Sequence, residues 1–322
     1  MADDIKNLRE LYATELEPKL IVLDAERRLI IKLIKRYILI SILPLFAIGF
    51  ISYIYQTPIP ILITLAICIG VSIYKINPIW SNYYTKFKQG VIKEIIGFIS
   101  EDLEYDHQDY LSKSIFENCG IYRTHIDRYN GDDMVWGKIG VTDIKFSEVH
   151  AEYKTTTTNS KGQTQTHWHT IFKGLMFSAD FNKNFNVKTY VLTDTAEKLF
   201  GSFGTKFQKM SSHGELVKLE DPEFEKSFVV YSGDQTEARY ILSTSLMKRI
   251  LDYKVNCKKN IQLSFVSNRM YVAIPYSKGL FEPKLFGDIV NFSNIEEYYN
   301  DLKLVLNLVE DLNLNTRIWL KD

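Results

Sequence analysis

Strong charge of either sign is missing from this sequence of 322 residues. Lys+Arg and Asp+Glu both number 39, so the formal net charge is zero. With no long basic run, nucleic acid is not expected as a partner. Cysteine is scarce: Cys68, Cys119 and Cys257 are odd in number and scattered, with no CxxC pair. That fits a reducing compartment better than a disulfide-stapled scaffold. Proline and glycine are few while Tyr and Phe are plentiful, which argues against disorder and against a fibrous repeat. There is no GxxxxGK[ST], GxGxxG, HExxH or GxSxG, and no Cys pair at metal spacing. No cofactor is therefore expected. Repeats at solenoid or propeller periods are also missing.

The most informative absence is local. From Tyr37 to Tyr74 there is no Asp, Glu, Lys, Arg or His. About 20 helical residues cross a bilayer, so one straight helix here would be about twice too long. Gln56-Thr57-Pro58-Ile59-Pro60 breaks it, because proline lacks an amide donor and disfavours helix in the residue before it. The stretch reads as two spans, Tyr37–Tyr55 and Ile59–Ile76, with the bilayer as partner; a re-entrant hairpin is the alternative. The charged lead of 36 residues is too long for a signal-peptide n-region. Arg27, Arg28, Lys32, Lys35 and Arg36 precede the first span, and Lys75, Lys86, Lys88 and Lys93 follow the second. The positive-inside rule then places both termini in the cytoplasm.

Either side of the spans the pattern is helical. Leu16, Leu20, Leu23, Arg27, Ile30 and Ile34 recur at steps of three and four, as do Phe87, Val91, Ile95 and Phe98. The two stripes are expected to pack antiparallel as a stalk. Their apolar faces could instead serve a protein partner or self-association, but neither sustains heptads. Beyond them, alternation of period two dominates. Val141–Val149 continues through Ala151–Thr158, turns at Asn159-Ser-Lys-Gly162 and returns over Thr166–Phe177 as a long Thr-tipped hairpin. Further strands are expected at Lys188–Leu192, Glu215–Leu219, Ser227–Tyr231, Ile261–Val266, Met270–Pro275 and Thr316–Leu320. Helices are expected after the caps Asp234, Ser243 and Ser293. The expected organisation is a cytoplasmic helix over 1–36, a transmembrane helical hairpin over 37–76 and a stalk helix over 77–106. A cytoplasmic α+β domain with a mainly antiparallel sheet and interspersed helices then fills 107–322.

Two clusters carry candidate chemistry. His167 and His169 are two apart on a strand and share a face. In an odd hairpin register His150 and Glu152 would join them, and three imidazoles with a carboxylate could hold zinc. Asp234, Glu237 and Arg239 could bind a polar ligand or a partner peptide. Their structural reading is that Asp234 caps a helix, Glu237 completes a capping box and Arg239 pairs with a carboxylate. Two function classes follow: a membrane-anchored interaction or scaffold module, and, as the alternative, a membrane-bound hydrolase or metal-dependent enzyme using one of these clusters. A channel or transporter is disfavoured, because the spans carry no charge.

Phe172-Lys-Gly-Leu-Met-Phe177, then Asp221-Pro-Glu-Phe-Glu-Lys-Ser-Phe-Val-Val-Tyr231, Asp234-Gln-Thr-Glu-Ala-Arg-Tyr240 and Leu246-Met247 form a recognisable series. With the upstream hairpin they resemble a bacterial membrane-protein family of unknown function, DUF3137, over most of the chain. The resemblance implies a bacterial inner-membrane location and no particular activity.

Overall fold

Two prolines and a left-handed residue make the first reversal of the chain. In the computed structural model, which describes residues 2–181, 184–193, 213–312 and 314, helix α2 (Glu17–Ile54) ends where Gln56 takes φ +51. The Thr57 amide donates to the Ser52 carbonyl at 3.1 Å, and helix α3 (Ile59–Phe87) starts with Pro60 in its first turn, where an amide is not needed. Short α1 (Ala2–Leu11) leads into α2 through a π-helical turn at Tyr12–Leu16, and α3 continues through another at Lys88–Ile92 into α4 (Lys93–Ile99). The helices are thus continuous across the boundaries expected near residues 36 and 76. Both are long and apolar enough to cross a membrane.

The chain divides into two compact units. The first joins residues 1–98 with Phe281–Tyr299. Contacts between its two long helices fix their direction. Lys19 meets Glu94 at 2.9 Å, Lys86 meets Glu26 at 2.5 Å, and Gly49 abuts Ile61. Partner numbers fall on one helix as they rise on the other, so the pair is antiparallel along its whole length. Both expected stripes face inward: Leu16, Leu20, Leu23, Arg27 and Ile30 are buried, as are Phe87, Val91 and Ile95. They are covered partly by Phe281–Tyr299, a segment expected in the sheet domain. Phe87 packs edge-on against Tyr298, Phe98 tilts onto Tyr299, and Tyr12 meets Phe292. At the core of this base, Arg27 bonds Asp24 at 2.8 Å and donates to the Leu285 carbonyl at 2.9 Å, while Arg28 bonds the other Asp24 oxygen at 2.6 Å. Burial pushes the Asp24 carboxyl up, but the hydrogen bonds and charges of Arg27 and Arg28 outweigh it and hold it below the ordinary range.

The second unit holds residues 99–280 and 300–322. Its frame is one sheet of nine strands: β1 (Leu103–Asp106), β2 (Arg128–Ile139), β3 (Thr142–Thr158), β4 (Thr164–Asp180), β5 (Thr189–Thr193), β6 (Glu215–Val217), β7 (Phe228–Ser232), β8 (Gln262–Val266) and β9 (Arg269–Pro275). Their order is β1-β2-β3-β4-β9-β8-β5-β7-β6, with every neighbouring pair antiparallel. Together the long helices and the antiparallel sheet with its helices make the α+β class expected from the sequence. β3 alternates buried and less buried residues from Thr142 to Phe146, whereas β9 is buried without alternation from Met270 to Ile274, so both faces of the sheet are covered there. Phe116, Tyr122, Ile126 and Leu111 pack over Phe172, Met176 and Ala273 on one face. Gly174 lets β9 come close: it has φ +153, and a Cβ there would fall onto the Ile274 carbonyl oxygen.

Helices α5 (Lys113–Asn118), α6 (Pro222–Ser227), α7 (Gln235–Ile241), α8 (Thr244–Cys257), α9 (Phe292–Leu306) and α10 (Leu308–Asp311) complete the described elements. Asp221 caps α6, its carboxylate accepting from the amides of Glu223 and Phe224. α9 begins one residue before the expected cap Ser293; the Asn291 side chain accepts from the Ser293 amide at 2.9 Å. The strand expected at Thr316–Leu320 lies outside the described residues.

Candidate functional site

β3 and β4 outrun the rest of the sheet. β2 accompanies β3 only as far as the pair Arg128↔Glu152, and β9 accompanies β4 only as far as Gly174↔Pro275. From Tyr153↔His169 to Thr158↔Thr164 the two strands pair with each other alone. At about 3.3 Å per residue this ribbon projects about 20 Å. Every residue from Lys154 to Thr170 is exposed, so both faces meet solvent. Both outer edges leave main-chain donors and acceptors without a neighbouring strand. Proteins usually blunt such edges with charge or proline. Here only Lys154 and Lys161 are charged, and there is no proline.

The ribbon is nonetheless well made. Asn159 accepts from the amides of Lys161 and Gln163 at 3.0 and 2.9 Å, and Gly162 takes φ +74 to close the turn. At its root the Arg128 guanidinium lies 3.8 Å from the Trp168 ring centre while reaching Glu152 at 3.2 Å. Tyr153 stacks on His169 at 4.8 Å. Trp168 still keeps 40% of its surface exposed.

The register decides what the histidines can do together. Residues directly opposite in an antiparallel pair share a face. His167 and His169 face with Thr155 and Tyr153, and His169 Nε2 lies 2.8 Å from the Thr155 hydroxyl oxygen. A register shift between Ala151 and Glu152 pairs Glu152 with Thr170. His150 therefore sits with Glu152 and Thr170, 3.7 and 3.3 Å away, on the opposite face. The pairing does not gather the four residues around one point, and each face offers two of them.

Asp234, Glu237 and Arg239 are close in space, in a structural arrangement different from the expected box. Asp234 caps α7 by accepting from the Glu237 amide at 2.8 Å. The Glu237 carboxylate does not return to Asp234; it accepts from the Asn186 and Val187 amides at 2.8 and 3.2 Å, tying down the entry to β5. Arg239 donates to the Lys218 carbonyl and to Gln235 Oε1, both at 3.3 Å, rather than to a carboxylate. These bonds join α7 to β6 and to the β5 approach.

Sequence reasoning passed over a groove of about 500 Å³ beside α6 and α8. Asp221, Glu223 and Asp252 share its wall with Lys248, Lys254, Lys258 and Lys259. Lys254 donates to the Ser227 carbonyl at 3.2 Å and stands over the Phe228 ring, and burial lowers its ammonium pKa. The interleaved signs suit a polar or zwitterionic surface better than a single anion or cation. Cys119 is buried, and that burial pushes its thiol up to about 12; burial also raises Cys257. Neither is poised as a nucleophile.

The comparisons with known proteins bear on the sheet unit. Residues 170–314 match the model of a family described as protein of unknown function (DUF3137). This stretch is similar to that family over less than half of the chain. It starts inside β4, so the match is shorter than the resemblance suggested and leaves out the helical hairpin. The matched stretch contains α6, α7, α8 and the groove, together with Asp234, Glu237 and Arg239, while most of the ribbon precedes it. No curated protein matches the chain. Among solved structures, the crystal structure of the mycobacterial trehalose monomycolate transport factor A, TtfA, is similar at 11% identity, covering 69% of this chain and 93% of that chain with a TM-score of 0.34.

Proposed function

We propose that this protein is a membrane-anchored interaction module of the bacterial inner membrane. Its helical hairpin spans the bilayer with both termini cytoplasmic, and its sheet unit engages a protein through the β3–β4 ribbon. One observation carries the reading: the chain exposes two long hairpins of opposite chemistry. In α2 and α3 the apolar side chains point outward, Leu43 being 77% and Phe46 79% exposed, which suits hydrocarbon. The ribbon is polar on both faces with open edges, which suits addition of another strand. The residues gathered around Asp234 are absorbed in helix caps and loop ties, and the histidines divide between two faces, so neither cluster favours the enzyme reading.

Three measurements test it. The full chain should resist alkaline carbonate extraction from membranes; release into the supernatant would refute the anchor. A Gln56→Cys variant should react with a membrane-impermeant maleimide from outside the cell, while a Lys161→Cys variant should react only after permeabilisation. Cys119 and Cys257 are buried, and the half-buried Cys68 lies inside the second proposed span, so background should be small. A photo-crosslinker at Thr166 should then capture a discrete partner or a second copy in cells; complete absence of either would argue against the ribbon as the contacting element.

A further inference from the structure

In a chain of zero net charge, residues 27–93 contain nine Lys or Arg and no Asp or Glu. Some of these cations are used within the protein. Arg27 and Arg28 bind Asp24, Lys86 binds Glu26, and Lys88 lies 3.4 Å from Glu282. Lys32, Lys35, Arg36 and Lys75 differ: all four are exposed, and among the described residues no carboxylate pairs with them.

The antiparallel contacts give their heights. Glu26 lies level with Lys86, and Gly49 with Ile61. Interpolating at 1.5 Å per residue, Lys35 and Arg36 on α2 come level with Lys75 on α3, about 15 Å from the Glu26–Lys86 pair. Lys32 comes level with Trp80, one turn nearer the base. On the other side of this collar stand Tyr37 and Tyr74, and no charged residue follows until the chain has turned and come back. Tyr53 and Tyr55 mark the far end, about 27 Å further along α2, close to the thickness of a hydrocarbon core. Tyrosines at both ends are what an interfacial belt requires.

We infer that this collar is a binding site for anionic phospholipid headgroups, with Lys35, Arg36 and Lys75 contacting the lipid phosphate and Lys32 flanking it. The inference rests on the membrane reading above. Three exposed cations from two helices stand at the same height, at headgroup depth, with no carboxylate paired to them among the described residues, and their long stems can lie along the apolar helix while the charge stays in the headgroups. Each basic residue at an anionic surface adds attraction worth about five-fold in binding, so the leaflet's anionic lipids would be enriched around the hairpin. Zwitterionic lipids would not, because their own ammonium offsets the phosphate.

The test uses the full chain purified in a zwitterionic detergent and titrated separately with phosphatidylglycerol, phosphatidylcholine and glycerol 3-phosphate, with bound lipid counted by native mass spectrometry. Phosphatidylglycerol should be retained over phosphatidylcholine. K35Q/R36Q/K75Q should lose that preference by roughly five-fold per cation removed, and the loss should shrink at high salt. K35R/K75R should keep it. So should K138Q/K161Q/K278Q, which removes the same charge from the sheet unit. Equal retention of the two lipids by the wild type, or an undiminished preference in K35Q/R36Q/K75Q, would overturn the inference. Glycerol 3-phosphate bound as well as phosphatidylglycerol would also overturn it, by identifying a soluble phosphate ligand. Carbonate extraction is scored in parallel on the wild type: a chain that is extracted loses both readings, whereas an embedded chain without lipid preference loses only this one. Six other cations remain in the triple variant to hold the orientation.

Discussion

The helical hairpin of α2 and α3 and the strand hairpin of β3 and β4 are both long reversals that project side chains in every direction. They differ in where their backbone hydrogen bonds go. In the helices each segment satisfies its own amides and carbonyls, so the outside can be wholly apolar and face lipid. In the ribbon, half of the main-chain groups at each outer edge point away from the partner strand. Such edges need water or a further strand, and Thr, Gln and His side chains keep them wet in the meantime. Side-chain chemistry and backbone geometry thus select the same medium in each hairpin.

The largest effects should come from the base of the helical hairpin. Asp24→Asn leaves the buried Arg27 guanidinium without its counter-charge and should destabilise the first unit by about 3 kcal/mol, seen as a lowered Tm in detergent. Because the folded-state pKa of Asp24 is depressed, its contribution is fully present above about pH 3.8, the ordinary value, and is lost as pH falls through the lowered one. The acid limb of the stability curve should therefore flatten in Asp24→Asn. A charge in the apolar stretch of α2 comes next. Phe46→Lys should cost about 3 kcal/mol of membrane insertion, read as release on carbonate extraction, with the sheet unit unchanged by circular dichroism. The same kind of charge at Thr157 in the ribbon should alter stability by less than about 0.5 kcal/mol, while lowering the crosslinking yield from Thr166 if an added strand is the partner. Asp221→Ala, which removes the α6 cap, falls between these, at about 1 kcal/mol.

What the sequence made legible follows the range of the forces involved. Local signals were enough for the break at Pro58 and Pro60, for the caps Asp234 and Ser243, and for both β-hairpins, since proline geometry, capping and period-two alternation act within a few residues. β2 was missed because Gly131 and two aspartates interrupt its alternation, and the bulge between Asp132 and Val135 shifts its register. The sheet order, with β5 entering between β8 and β7, depends on contacts far apart in sequence. The same holds for Phe281–Tyr299, whose aromatics complete the helical base although they follow the whole sheet in the chain. For the candidate sites, residue type was readable and geometry was not. Glu237 looked like half of a capping box, but its carboxylate is satisfied by two amides some 50 residues away in sequence.

The histidines give the smallest expected effect and the finest test of the ribbon. A one-residue shift in strand pairing moves a whole set of side chains to the other face. Here the shift between Ala151 and Glu152 separates His150 from His167 and His169. Two imidazoles on an exposed strand supply two of the four ligands that a structural zinc site needs. His167→Ala/His169→Ala should therefore change Tm by no more than other surface substitutions, under about 0.5 kcal/mol, and zinc at micromolar concentration should not raise the Tm of the wild type. If zinc does raise it, and the double variant abolishes the rise, ligands must come from a second ribbon. The open edges would then be joined between copies, and the contrast between the two hairpins would sharpen into one that anchors and one that assembles.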